Sequence, residues 1–548
     1  MLSLDSRISI DKTASLVQNI IINAGKNSQN TFAKIILNKT GEFINISFEE
    51  LISESSRFAN LFLQNNVKRK ETVIIILKHS PELLFSFIGA LMIGAIPSIF
   101  SHPSVKISFE NYIKSLPKLI KYSGSLTVIT YKELQESLND LGNINIINGG
   151  EALSCSQKYQ ARFDFKPDDI AFLQHSSGTT GLKKGVALSN SAIINQISNY
   201  APLLDLKSKD KIISWLPLYH DMGLIACFIL PAVTGVQVTM MSAFDWVENP
   251  IMLFKSIHED QGTLCWLPNF AYQFLAKRIN EGDLQGLDLS SMKAFINCAE
   301  PITEKAHAEF YEAFKSIGVS KKMFSTCYGM AENTFAVTQS KIGRVSISLK
   351  NNRKYISSGS PIPNTFIKIL DEGGNDLPKG EQGEIVLKSD CRLTEYYNRR
   401  EETQKAIKGE WYFSGDIGFI ENNELYVVGR KKDMLIVSGK NIYPQDVEES
   451  LSELEQIIPG RVAVIGEYND EIGTEEILVL AELSSEILED KNKVFNIKLD
   501  ISKKIKENFD CVAKKIVLLP HMYLVKSSSG KISRALSYDK FKKEQINA

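Results

Sequence analysis

The 548 residues are 43% hydrophobic and 23% charged, with 33 glycines and 17 prolines, a composition that excludes collagen-like, disordered and membrane-bundle proteins. At roughly 150 residues per folding unit the chain predicts three to four units. Its 63 basic and 64 acidic side chains leave a formal charge of -1, so no overall positive field recruits nucleic acid and an anionic partner needs a local site.

The N-terminus, MLSLDSRISIDKTASL, is interrupted by Asp5 and Asp11 and carries neither a basic n-region nor a cleavage site, so export is not expected. Seven cysteines, at 155, 227, 265, 298, 327, 391 and 511, never form a C-x-x-C pair, which predicts a reducing, cytoplasmic setting without disulfides or a zinc knuckle. Leu83 to Phe100 is apolar, but Gly89, Gly94 and Pro97 break it and no basic flank follows. A buried helix running into a strand is predicted, with no stable membrane insertion. Short β-branched runs, Val73–Leu77, Leu126–Thr130, Ile170–His175 and the stretch from Gly235, alternate with helical stretches in the rhythm of α/β layers. From Pro361 the strands shorten and turn signals such as EGGND and ENNE intervene, predicting a small antiparallel, β-barrel-like unit over about 355–430. After Gly429–Asp433 (GRKKD) a second pattern begins, with a helix from Pro444, two strands and a helix from Asn496. The expected organisation is a large domain, 1–432, of two α/β subdomains plus the β unit, then a small α+β domain, 433–548. That last domain is electrically split: Asp433 to Asp490 holds 2 basic and 15 acidic residues, and Lys491 to Ala548 holds 14 basic and 5 acidic. Two solvated helix faces, or one basic docking face, would each account for it.

The strongest chemical signal is His175–Gly185, HSSGTTGLKKG, after a strand. Gly178, Gly181 and Gly185 let backbone N–H groups turn inward, Ser176, Ser177, Thr179 and Thr180 add hydroxyls, and Lys183 and Lys184 add charge, a composition suited to a polyphosphate. The spacing is not that of a Walker A loop. In Trp215–Leu224, WLPLYHDMGL, His220 and Asp221 could form an acid/base pair or a satisfied, partly buried histidine, and lack the further ligands of a metal site. Cys327–Thr334, CYGMAENT, brings an aromatic ring, a flexible glycine and Glu332, a carboxylate suited to Mg2+ beside phosphates. Tyr412–Asp416 (YFSGD), GRKKD and Lys526–Arg534 (KSSSGKISR) complete the set. No G-x-S-x-G elbow exists, which disfavours a serine hydrolase.

In this order and spacing the segments resemble the adenylate-forming superfamily of acyl-CoA synthetases, luciferases, adenylation domains and fatty acyl-AMP ligases, from about residue 30 to about residue 540. The resemblance implies an enzyme using ATP and Mg2+. By position it makes Ser176, Ser177, Gly178, Thr179, Thr180, Gly181 and Lys184 the phosphate loop, with Lys183 where a proline is usual. It puts Asn297, Cys298, Ala299 and Glu300 along the adenine, Tyr328 stacked on it with Gly329 adjoining, and Glu332 on the metal, with Ala331 where threonine is commoner. Asp416 and Arg430 would hold the ribose, Lys432 would be the hinge of a mobile C-terminal domain, Lys531 the catalytic lysine, and His220 would lie near the acyl carboxylate. The physics is consistent, because joining a carboxylate to ATP at the α-phosphorus requires anionic charge to be spread over cations.

LPLYHDMGLI, CAEPI and YGMAENTFAV are similar to the fatty acyl-AMP ligase branch, which implies a fatty acid substrate and an acyl carrier protein as acceptor. Against this, 28 residues separate Glu332 from Pro361, where that branch usually carries an extra segment that hinders reaction with coenzyme A; an acyl-CoA ligase is the alternative. Met222–Val233 and Trp266–Phe274 are candidate walls for the acyl tail, with ordinary core packing the competing expectation. An inactive nucleotide-binding scaffold would be expected to lose Lys531 or Glu332, and both are present.

Overall fold

The structure, a computed structural model, describes residue 5 and residues 8–103, 109–138, 144–159, 165–175, 184–350, 353–437, 440–469, 474–526 and 531–546. The architecture is α/β, in two compact units. The first comprises the described residues up to Ser414 together with Phe419–Val427, and the second comprises Gly415–Gly418 and the chain from Val428. The continuous stretch of the second unit starts at Val428.

In the first unit a nine-stranded sheet, counted among the described residues, runs in spatial order Ser360–Pro361, Ala336–Gln339, Phe324–Gly329, Ala294–Asn297, Leu264–Leu267, Lys211–Ser214, Gln237–Met240, Thr31–Ile36 and Phe43–Ser47. Its middle strands pair in parallel. A parallel strand covered by helices on both faces is apolar throughout, and Leu264–Leu267 and Ala294–Asn297 are buried at every position. A second sheet, Ile96–Ile99, Thr72–Ile76, Thr127–Thr130 and Asn145–Asn148, is parallel throughout.

The apolar stretch Leu83 to Phe100 resolves into a helix, Pro81–Met92, buried at all but Glu82, and the strand Ile96–Ile99. A helix apolar all round must be interior. Gly89 makes that possible, since a Cβ there would stand 2.7 Å from Ser55 O and from Phe58 Cβ on the helix Phe48–Gln64. No helix among the described residues is long and apolar enough to cross a membrane.

Ile170–His175 lies outside these two sheets. It pairs antiparallel with Gly185–Ser189, which pairs antiparallel with the two-residue strand Glu395–Tyr396. Nine residues separate the first two strands in sequence, fewer than the roughly a dozen that a parallel crossover needs, which agrees with their antiparallel pairing. The later β region forms a sheet of Thr365–Leu370, Gly383–Ser389, Trp411–Glu421 and Ile407–Lys408, with Glu424–Arg430 on Trp411–Glu421. Between Glu332 and Pro361 lies an antiparallel hairpin, Ile347–Lys350 with Arg353–Ile356, where Lys350 Nζ donates to Gly380 O.

Met222–Ile229 is a π-helical segment continued by Leu230–Thr234, and all of it is buried. Phe228 lies 6.2 Å from Phe32 and 5.7 Å from Phe87 between ring centroids. This stretch therefore belongs to the core of the first unit.

The second unit is built on Val462–Asn469, Thr474–Leu483 and Ala513–Pro520. Alternation along Thr474–Leu483 sends Ile477, Val479, Ala481 and Leu483 into one cluster with Val447 and Leu451 of the helix Pro444–Leu451 and Ile501 of Lys491–Phe509. Leu478 and Leu480 face Phe541 of the helix Arg534–Ile546. One three-stranded sheet thus carries two cores.

Candidate active site

Three candidate segments of the first unit leave the carboxyl ends of parallel strands in the same sheet. Trp215 to His220 follows Lys211–Ser214, Cys298 to Pro301 follows Ala294–Asn297, and Glu332 follows Phe324–Gly329. Open parallel sheets bind ligands at this edge, because side chains from neighbouring strand ends converge there.

Glu332 sits in the short turn Ala331–Asn333 and is the best-defined group. Its Oε1 accepts the Tyr396 hydroxyl at 2.9 Å, and the Tyr412 hydroxyl lies 3.0 Å from that of Tyr396. With the Tyr396 proton directed to the carboxylate, Tyr412 is the donor to Tyr396. Burial, and then the Glu332 charge, push both phenols above their ordinary range, so both remain donors. The Lys184 ammonium stands 4.4 Å from the Tyr396 ring centroid, a cation–π contact.

Tyr328 is half-buried at the end of its strand, packed against the cluster of Ile369, Ile385 and Leu425, and its N–H donates to Thr338 Oγ1 at 3.3 Å. At Gly329 the strand register shifts, and a Cβ would come within 3.0 Å of the Phe335 ring, so the absence of a side chain lets the strand end pass Phe335.

His220 Nδ1 lies 2.8 Å from Asp221 Oδ1, which also accepts Met222 N at 2.9 Å and so starts the π-helical segment. The carboxylate fixes the proton on Nδ1. Gly223 brings that segment against the histidine's loop, since a Cβ there would stand 2.4 Å from Pro217 O.

The strip after Ala294–Asn297 is less accessible than its motif suggests. Asn297 and Cys298 are buried, so their side chains are turned into the core. Asn297 Nδ2 donates to Asn269 Oδ1 at 3.1 Å and to His307 Nε2 at 3.0 Å. The His307 ring stacks on Phe324 at 4.9 Å, and burial lowers it to about 4, leaving it a neutral acceptor. Ala299 takes φ of 73°, a left-handed conformation costly for a residue with a Cβ and found where surrounding structure enforces it. Glu300 Oε2 accepts Phe270 N at 2.9 Å, capping the helix Asn269–Arg278. That carboxylate supports the helix of the Trp266–Phe274 stretch, where Trp215 and Trp246 stack at 3.8 Å with Phe274 5.1 Å from Trp246.

In the second unit Arg430 Nε stands 3.5 Å from Asp416 Oδ1, so the two residues expected at the ribose are neighbours. Lys432 lies in the short turn Lys431–Asp433. Lys531 directly precedes Ile532, which bridges to Lys526, and Ser533 N donates to Val525 O at 2.8 Å. The segment before it is anchored by Glu482, fully buried, whose carboxylate accepts Met522 N at 2.9 Å and Leu524 N at 2.6 Å. The segment after it is anchored by Arg534, which donates from Nε and Nη2 to Glu448 at 2.7 Å each and from Nη1 to Asp433 at 3.0 Å.

Ser176, Ser177, Gly178, Thr179, Thr180 and Gly181, with Lys183, lie outside the described residues. Lys184 is the first described residue after them. Tyr396, Asp433 and Glu448 have no role legible from sequence, nor has Tyr412 within its motif. No spacing links Tyr396 to a carboxylate 64 positions away.

Among the described residues no group of three or more His, Cys, Asp or Glu could hold a metal ion alone. Glu332, a single carboxylate oriented by hydroxyls, fits Mg2+ brought by a nucleotide, an ion that keeps several waters and takes one or two protein carboxylates plus phosphates.

Residues 25–397 match the family model described as AMP-binding enzyme. The chain is 27% identical over 543 residues to the medium-chain-fatty-acid–acyl-carrier-protein ligase JamA of Moorena producens (strain JHB), covering 91% of this chain and 90% of that one. It is 26% identical over 535 residues to the provisionally named fatty-acid–CoA ligase FadD21 of Mycobacterium leprae (strain TN), covering 87% and 89%. A solved fatty acyl-adenylate ligase, from work on the E. coli and L. pneumophila enzymes, superposes with a TM-score of 0.88 at 24% identity over the whole of both chains, a likeness of fold.

Proposed function

Because the chain belongs to the AMP-binding enzyme family and is an ATP-dependent, AMP-forming ligase, we propose that it joins a fatty acid to AMP and passes the acyl group to the phosphopantetheine thiol of an acyl carrier protein. The observation that carries the first step is Glu332, oriented by Tyr396 and Tyr412 at the carboxyl edge of the sheet with Lys184 on the same tyrosine. A fatty carboxylate oxygen attacks the α-phosphorus and pyrophosphate leaves; the thiol then attacks the acyl carbon and AMP leaves. Lys531 stabilises the charge on the reacting carboxylate and α-phosphate, Asp416 with Arg430 holds the ribose, Tyr328 stacks on adenine, and His220, oriented by Asp221, lies near the acyl carboxylate. Mg2+ on the nucleotide would neutralise phosphate charge next to Glu332.

The carrier protein as acceptor is supported by JamA, similar over nine-tenths of the chain. Coenzyme A is the second reading, favoured by the brevity of the segment between Glu332 and Pro361, which contains one short hairpin.

ATP/pyrophosphate exchange over a panel of fatty acids tests the first step. Each methylene buried contributes roughly 0.8 kcal/mol, so apparent affinity should climb several-fold per carbon until the pocket is full. Lys531→Ala should lower exchange roughly 100-fold, about 3 kcal/mol, with ATP binding little changed. Absence of exchange with every fatty acid would overturn the choice of a fatty acid as substrate. Thioester formation on free coenzyme A, with none on carrier proteins, would give the acceptor to coenzyme A.

A further inference from the structure

We propose that Tyr396 is a positioning residue for adenylation, holding the Glu332 carboxylate in the orientation that receives a nucleotide-borne divalent cation. The inference rests on the adenylation reading and adds a residue to it. Three independent ties converge on the segment that carries Tyr396. Its hydroxyl donates to Glu332 Oε1 at 2.9 Å, its neighbour Leu393 donates from N–H to the Glu332 carbonyl at 2.8 Å, and Tyr397 N donates to Gly185 O at 2.8 Å. Tyr396 also pairs with Val186 across the two strands, so a residue two positions after Lys184 is in the same ladder as the residue that holds Glu332. The Lys184 ammonium on the face of the ring, 4.4 Å from its centroid, completes the connection.

A glutamate on a three-residue turn has several rotamers, and an unrestrained carboxylate would have to be ordered each time the nucleotide bound. A charge-assisted hydrogen bond from a phenol that is 4% exposed fixes one rotamer in advance. Tyr412, donating to the Tyr396 oxygen at 3.0 Å, polarises that phenol and fixes its own orientation in turn. The same ring contacts both the cation next to the phosphate loop and the carboxylate, so it sets the spacing between them. A merely structural tyrosine would need none of these three polar relations.

The test uses the full-length protein and Mn2+ as the paramagnetic probe, with a non-hydrolysable ATP analogue. Tyr396→Phe keeps the ring and its packing and removes only the O–H. Electron paramagnetic resonance titration should show Mn2+ held about 10- to 100-fold more weakly in the ternary complex, the range for losing a group that orients a metal ligand. Analogue binding without divalent metal should stay within about twofold, and in exchange assays the half-saturating Mg2+ concentration should rise while KM for the fatty acid holds. Tyr412→Phe should move the same quantities in the same direction by a smaller factor. Glu332→Gln separates the two claims. If Glu332→Gln weakens Mn2+ binding and Tyr396→Phe does not, the positioning role is overturned and the metal reading of Glu332 stands. If neither variant changes Mn2+ binding, the metal reading itself falls and this inference with it.

Discussion

Arg534 follows Lys531 by three positions and bonds Glu448 with both prongs of its guanidinium and Asp433 with a third N–H, so it ties the chain just after the lysine to the chain just after Lys432. The three side chains are 25%, 18% and 19% exposed. Burial alone would lower the guanidinium, but the Glu448 and Asp433 carboxylates more than offset it and hold it above its ordinary value. Breaking a fully buried pair by removing one partner costs about 3–5 kcal/mol, and the residual exposure puts Arg534→Ala near the lower end, about 3 kcal/mol. Glu448 would also keep its bond from Val464 N at 2.8 Å, which limits the damage to its carboxylate. For a unit of this size that corresponds to roughly 10 °C in the thermal midpoint of the transition containing it. ATP/pyrophosphate exchange should fall with it at temperatures where the variant is still folded, because the Lys531 segment loses one of its two anchors, while Arg534→Lys, which keeps charge without the bidentate geometry, should fall between. A variant that melts within about 1 °C of the parent and exchanges at the parent rate would refute the claim that this clamp positions Lys531.

Gly223→Ala should cost about 1–3 kcal/mol and raise KM for the fatty acid, since the new methyl would stand 2.4 Å from Pro217 O and push on the loop that carries His220; unchanged melting and KM would count against that role. His307 is held down to about 4 by burial, so on acidification the unfolded chain takes up the proton first. Its contribution, up to roughly 3 kcal/mol, is complete above about pH 6.5 and is lost as pH falls toward 4; denaturant titrations at several pH values should show His307→Gln with a shallower pH slope, and an equal slope would remove the assignment. His79, also lowered to about 4 by burial, adds a slope of the same sign that the variant retains. Lys432→Pro should spare pyrophosphate exchange and block thioester formation, read by radiolabelled acyl transfer, if this turn is the pivot between the two half-reactions; loss of both or of neither would exclude it.

What the sequence makes legible is what local pattern determines. The apolar run at Pro81–Met92 has to be an interior helix whatever surrounds it, and the β-branched runs have to be strands. Pairing direction is not local: Ile170–His175 reads like its parallel neighbours and becomes antiparallel because Gly185–Ser189 returns at once. The same limit governs the site. Glu332 is legible from its motif, but the tyrosines that aim it come from Glu395–Tyr396 and Trp411–Glu421, and only tertiary pairing brings them there. Asn297 and Cys298 illustrate the converse, since a motif marks their position along the chain but not that their side chains turn into the core.

The electrically split C-terminal sequence bears on the acceptor. Taken linearly, its basic half offers a docking face for an acidic carrier protein. Folded, Lys504 reaches Glu453 at 2.6 Å and Lys542 reaches Glu467 at 2.8 Å, and Lys514 bonds Glu476, so three lysines of the basic half are paired with glutamates of the acidic half. Lys542 is held above its ordinary value by its bond to Glu467, and Glu467 is lowered despite partial burial by Lys542 and Tyr538. Each exposed pair contributes only about 0–1 kcal/mol to stability, but each cancels a charge that would otherwise steer a partner. Lys503 pairs at 3.9 Å with Glu507 on its own helix, with the same effect. The long-range field of the basic half is therefore much smaller than its lysine count implies. A steep salt dependence of acyl transfer would have to come from lysines outside these pairs, such as Lys543, and charge reversal at Lys542 would also break its bond with Glu467. Lys543→Glu is thus the cleaner probe of carrier docking: it should raise KM for the carrier protein and leave ATP/pyrophosphate exchange intact, and an unchanged KM would remove electrostatic steering by this residue from the account of acceptor choice.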